Sequence, residues 1–214
     1  MNCDQPEHRE LIERSWRYWA WDRVPNAWSQ AVMSSIASSM GKADDALRHL
    51  DLSLASRNLA PNTMHTEGGN PCSETHGGLC QMLHDMLLQS WGDKLRVFPA
   101  VPATWPDVTF HNLRAQGAFL VSAARQGGRT QWVRIQSLAG EPCRIRPSLS
   151  GQVKVNCPSK TIPNRKLADD VYELSLARGD DVLLYDATGV PEPVVRPIAT
   201  DSAAHNPFGV RSTK

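Results

Sequence analysis

The chain has 214 residues, a formal net charge of +1 and 21% charged residues. This length allows one large domain or two small ones, and a chain of this size removes ~70% of its unfolded surface from water, so it needs no disulfide. The near-zero charge gives no field for nucleic acid or an anionic membrane, and no apolar run reaches the ~20 residues of a membrane span.

The opening run MNCDQPEHRELIERSW has no apolar core segment and reads as no signal peptide. Residues 6–23 then place Leu11, Ile12, Ser15, Trp16 and Trp19 on one helical face. Pro25 and Asn26 break that helix. A second helix is predicted from Trp28–Ser29 to Met40. Its apolar positions are Val32, Met33, Ile36, Ala37 and Met40, its other faces are small, and Gly41 ends it. Small faces allow a close helix neighbour. A third helix is predicted over Ala43–Leu54, with Asp44 and Asp45 in its first turn, where the helix dipole favours them.

Residues 57–78, RNLAPNTMHTEGGNPCSETHGG, read as a long irregular loop. Such loops are functional or solvated. This one holds two carboxylates, Glu67 and Glu74, and two imidazoles, His65 and His76. A fourth helix follows, with Leu79, Leu83, Met86, Leu87 and Ser90 at helical spacing. Ser73 and Thr75 are its candidate N-caps and Gly92 its stop. Glu74 then stands at the helix mouth, where N–H groups and the positive dipole end meet an anion. After Gly92, Leu95, Val97 and Pro99 alternate with Arg96 and Phe98, an extended segment leaving the helical layer.

Beyond Pro106 the texture is strand. The predicted strands are Val108–Leu113, Ala118–Ala124, Thr130–Ser137, Cys143–Arg146, Val153–Asn156, Val171–Leu176 and Asp181–Tyr185, with Gly-containing turns between several of them. Spacing near ten residues argues a β-sandwich or barrel. From Ala187 on, Pro, Thr, Ser and Ala predict a loose tail. The predicted class is α+β: a helical segment 1–94, a linker 95–107, a sandwich 108–186 and a tail 187–214.

The run HDMLLQSWGDKLRVFPAVPATWPDVTFHNLRAQGAFLVSAARQGGRTQWVRIQSLAGEPCRIR resembles the C-terminal portion of glycoside hydrolase family 95, whose known activities are mainly α-L-fucosidases. Met86–Gly117 carries the specific part: MLLQS, a short strand, a Pro-Ala-x-Pro segment, Trp105, and a strand like the family's LRARGGF. The surroundings of Trp28-Ser29, with Asp44–Leu50 behind, resemble the family's GWS…GDGDRA helix pair. The resemblance implies the last helices of an (α/α)6-type barrel followed by a C-terminal antiparallel β-sandwich. It implies inverting hydrolysis, in which a glutamic acid protonates the leaving oxygen and asparagines supported by an aspartate activate water. Counted back from MLLQS, Glu74 lies where that aspartate would lie. Here the acid is followed by Thr75-His76-Gly77-Gly78, where the family has Gly-Asn-Phe-Gly, and Glu67 or Gly68 falls where the family has a histidine.

The candidate site is thus Glu74 as a catalytic carboxylate, with Trp28, Glu67 and His76 as substrate contacts. A carboxylate pair suits glycoside hydrolysis because one member holds a proton while the other stays ionised. The general acid and the asparagines belong upstream of this chain, so a missing barrel segment is an expected partner besides the glycan. No cofactor is expected. The five cysteines lack CxxC spacing, and His65, His76 and Glu67 fit no metal-ligand pattern. The competing reading is a non-catalytic carbohydrate-binding or structural module, in which Trp28 packs between helices, Glu74 caps one, and His65 and His76 are solvated loop residues.

Overall fold

The computed structural model describes residues 2–19, 26–60, 64–186 and 191–195. Contacts divide these residues into a helical unit ending at Met86 and a β unit that starts at Leu87. The class is α+β, helices first and strands second.

In the helical unit, α1 spans Pro6–Trp19, α2 Ala27–Ser39 and α3 Ala43–Leu54. The expected face of α1 is narrower than its pattern: Trp16 is buried, while Leu11 and Trp19 are exposed. The remainder of the expected 6–23 helix, with Trp21 and Pro25, lies outside the described residues. Asn26 caps α2 by accepting from the Ser29 N–H at 2.7 Å. The helix closes in a Schellman motif: Gly41 N–H reaches Ser38 O and Lys42 N–H reaches Ala37 O, with Gly41 at φ 72°. The chain then reverses into α3, and the two helices run antiparallel. Ala27, Ala31, Ala37 and Ala46 are fully buried. Ser34 Oγ donates to Ala46 O and Ser53 Oγ to Ala27 O, both at 2.8 Å. The small faces read from sequence are what allow side-chain hydroxyls to reach the neighbouring backbone.

The stretch expected as a 57–78 loop is more ordered than its composition suggests. Thr66–Glu67 (β1) and Asn70–Pro71 (β2) form a hairpin across Gly68-Gly69, both glycines at positive φ. Helix α4 follows at Glu74–Leu87. It stops short of the expected Ser90 and Gly92, because Leu88–Gln89 (β3) turns extended and pairs with Leu95–Val97 (β4). Leu88, Leu95 and Val97 are buried in the β core, and that packing overrides the helical spacing. Leu95–Val97 is therefore a strand inside the β unit and not part of a linker.

The remaining strands are β5 (Val108–Ala115), β6 (Phe119–Gln126), β7 (Arg129–Ser137), β8 (Cys143–Arg146), β9 (Val153–Asn156), β10 (Asn164–Lys166), β11 (Tyr172–Leu174) and β12 (Asp181–Asp186). Together with β3 and β4 they form, among the described residues, two five-stranded sheets, ordered β10-β11-β8-β4-β3 and β5-β6-β7-β12-β9. Pairing is antiparallel except for β4 with β8, which is parallel; the expected purely antiparallel sandwich is corrected there. Inward residues of both sheets, among them Val97, Ile145 and Leu174 facing Val121, Ile135 and Leu184, make one apolar core. On the outer face of the second sheet, Ala124, Trp132, Leu183 and Tyr185 form a separate buried cluster. Edge strand β10 is exposed and polar, which hides it from apolar periodicity. Most of the expected tail lies outside the described residues.

Candidate functional site

Helix α4 opens on Glu74, which is exposed in the first turn. The turn is built by the chain before it: Cys72 N–H bonds His65 O at 2.9 Å, and His76 N–H bonds Ser73 O at 3.2 Å. Thr75, expected as a capping residue, is instead fully buried, with its Oγ1 2.8 Å from His65 Nδ1. Trp28 sits in the first turn of α2, 39% exposed. Its ring lies against Gly78 of α4. A Cβ on Gly78 would come within 2.9 Å of Trp28 Cζ3 and 3.4 Å of Ala31 Cβ, so a glycine there is what lets the ring lie flat on the helix.

These two helices border a cleft of about 430 Å³. Trp28, Ala31, Val32, Ser35 and Ile36 line it from α2, and Glu74, Gln81 and Asp85 from α4. The structure thus brings Glu74 and Trp28, 46 positions apart in sequence by subtraction of their numbers, to one cavity. No cation is among the lining residues. The surface these residues present to the cleft is almost wholly apolar, the Trp28 indole included. Gln81 Nε2 donates to Asp85 Oδ1 at 2.7 Å, which fixes the far end of the α4 side.

Glu74 and Asp85 are eleven residues apart on one helix, or about 16 Å at 1.5 Å per residue. Inverting hydrolysis needs its carboxyls at roughly 6.5–9.5 Å. Asp85 is therefore not the acid partner of Glu74.

Glu67 and His76 do not line the cleft. Glu67 sits on β1 with Oε1 turned inward, 4.0 Å from His65 Nε2. His76 is half-buried in the first turn of α4. His65, read as a solvated loop histidine, is fully buried. So is His49, whose Nδ1–H donates to Gln30 Oε1 at 2.6 Å while its ring meets Trp16 edge-on at a 5.6 Å centroid distance. Sequence reasoning missed both. The signal for His65 was present: Glu67-Gly68-Gly69-Asn70 is a two-residue glycine turn, and a hairpin there folds His65 back beside the helix start. Among the described residues, no group of three His, Cys, Asp or Glu side chains converges to hold a metal ion, and no helix is long and apolar enough to cross a membrane.

In comparison with known proteins, residues 89–184 match the family model described as glycoside hydrolase family 95, C-terminal domain. No curated protein matches the chain.

Proposed function

We propose, from the match of residues 89–184 to the glycoside hydrolase family 95 C-terminal domain model, that this chain is part of an inverting glycoside hydrolase acting on α-L-fucosides or related glycans, with α1–α4 as the last helices of an (α/α)6-type barrel. One observation carries the reading: Glu74 and Trp28, picked out separately by resemblance, line the same cleft. In this reading Glu74 is the carboxylate on the water side of the reaction, where it supports the groups that activate the attacking water. Trp28 stacks on the apolar face of the sugar, and His76, one turn of chain from the cleft wall, contacts a hydroxyl of a longer glycan. Asp85 is too far along the helix to be the proton donor to the leaving oxygen.

The test is a titration of the chain with methyl α-L-fucoside, read at the Trp28 indole N–H by NMR and assigned with Trp28→Phe. A saturable shift that weakens about tenfold in Glu74→Gln is expected, the size of one hydrogen bond to a charged group. No shift at Trp28 overturns the reading. A shift confined to β5–β12 resonances and unchanged by Glu74→Gln overturns it in favour of a non-catalytic binding module.

A further inference from the structure

The hairpin β1–β2 and the first turn of α4 meet at three polar side chains whose bonding is nearly, but not fully, closed. His65 is completely buried. Its Nδ1 lies 2.8 Å from Thr75 Oγ1, also completely buried. Its Nε2 has no hydrogen-bond partner, and neither does the buried Oε1 of Glu67, 4.0 Å away. An orphaned buried polar atom costs about 1–3 kcal/mol. Here two complementary orphans face each other at 4.0 Å.

The protonation pattern of the ring follows from its neighbours. A bare Nε2 would set a lone pair against the Glu67 carboxylate. A proton on Nε2, directed at Glu67, avoids that opposition. A neutral ring then has its lone pair on Nδ1, and the Thr75 hydroxyl donates to it. Each of the three groups is satisfied only if the other two are in place.

We propose that Glu67, His65 and Thr75 form a buried tie that clamps the hairpin to the first turn of α4 and so sets where Glu74 points into the cleft. Glu67 and His65 are positioning residues: they act through Thr75 on its neighbour Glu74, not on the sugar. The tie is a statement about the fold; its consequence for catalysis rests on the reading of Glu74 given above.

Long-range proton–nitrogen correlation on the intact chain reads which ring nitrogen of His65 bears hydrogen, and amide exchange reads the first turn of α4. The wild type shows hydrogen on Nε2. Thr75→Val and Glu67→Leu each speed exchange at Gly77 and Gly78 by about tenfold, the scale of one lost hydrogen bond. Thr75→Ser and Glu67→Gln, which keep a hydroxyl and an acceptor, restore it. A wild-type ring with Nε2 bare overturns the tie. So does unchanged exchange in both disruptive variants, or acceleration that extends equally to Ile135 and Leu184, which would mark general destabilisation. These readouts involve no sugar. If they hold while Trp28 ignores the fucoside, the tie stands and the glycosidase reading falls; the converse pattern sinks the tie alone.

Discussion

The two units of this chain solve the problem of an interior in different ways. The sandwich buries aliphatic and aromatic side chains from both sheets in one continuous core. The helical unit buries Trp16, Met33, Leu50, Met82 and Met86, but sets polar groups among them. It buries Gln30, Ser34, Ser38, His49, Ser53, His65 and Thr75, and leaves Leu11, Tyr18, Trp19, Ile36 and Leu54 facing out. Apolar burial is non-directional and tolerates small shifts, whereas hydroxyl, amide and imidazole bonds fail at small displacements. The difference teaches where geometry is specified most tightly: in the polar-bonded helices that bear the cleft, not in the sandwich that matches the family.

The comparison breaks most visibly where the sandwich is thickest. Ile135 is fully buried between the sheets, and Ile135→Ala should cost about 2–5 kcal/mol, read as a fall in urea midpoint. A loss well under 1 kcal/mol would mean that the core relaxes freely and is not continuous. The helical unit should answer to bonding and not to volume. Gln30→Leu is nearly isosteric yet removes the acceptor of buried His49, with an expected loss of about 1–3 kcal/mol. Adding His49→Leu should recover much of it, because both polar partners are then gone. If the double variant is worse than the single one by the full cost of a second core substitution, the helical interior behaves like the sandwich and the contrast fails.

How much of this could be read from sequence follows the same division. Helix α3 was read at Ala43–Leu54 and strands β8 and β9 at their observed ends, because apolar period and Gly turns agree there. The reading failed where a long-range contact decides. Leu88–Gln89 has the spacing of a helix continuing, but Leu88 is drawn into the apolar core shared with Ile145 and Leu174, and the pair joins Arg96 and Val97 in a sheet. Strand β10 has no buried residue to show a period. In the site, Glu74 and Trp28 were legible as individual residues, by resemblance; that they share a cleft depends on Gly78, whose role is only to be small. For His65 the Gly68-Gly69 turn is the legible part; burial of its imidazole depends also on Thr75, ten residues later, which no local pattern shows.

The smallest expected effect concerns charge, and it sharpens the contrast from the sandwich side. Asp181 is held below the usual carboxylate range mainly by its hydrogen bond from Arg134, against the opposing effect of burial and with help from Gln136. Its neighbour Asp180 is lowered by Lys160 at 2.8 Å and by the Ala177 N–H at 2.7 Å, and Glu173 is lowered by Arg144 and Arg165. Each of these carboxylates binds protons more weakly folded than unfolded. Their contribution is therefore fully present above the unfolded value, ~4, and is lost as pH falls through the depressed folded value. Unfolding of the sandwich followed at the Leu183 amide should be flat from neutrality to about pH 5 and should weaken below about pH 4. The Arg134–Asp181 pair is partly exposed, so salt screens it and the slope should be shallow. Arg134→Met with Asp181→Asn should flatten the acid limb further while leaving the neutral plateau close to wild type. An unchanged acid limb in that double variant would assign the slope to Asp170, Asp180 and Glu173, which are ion-paired elsewhere in the sandwich.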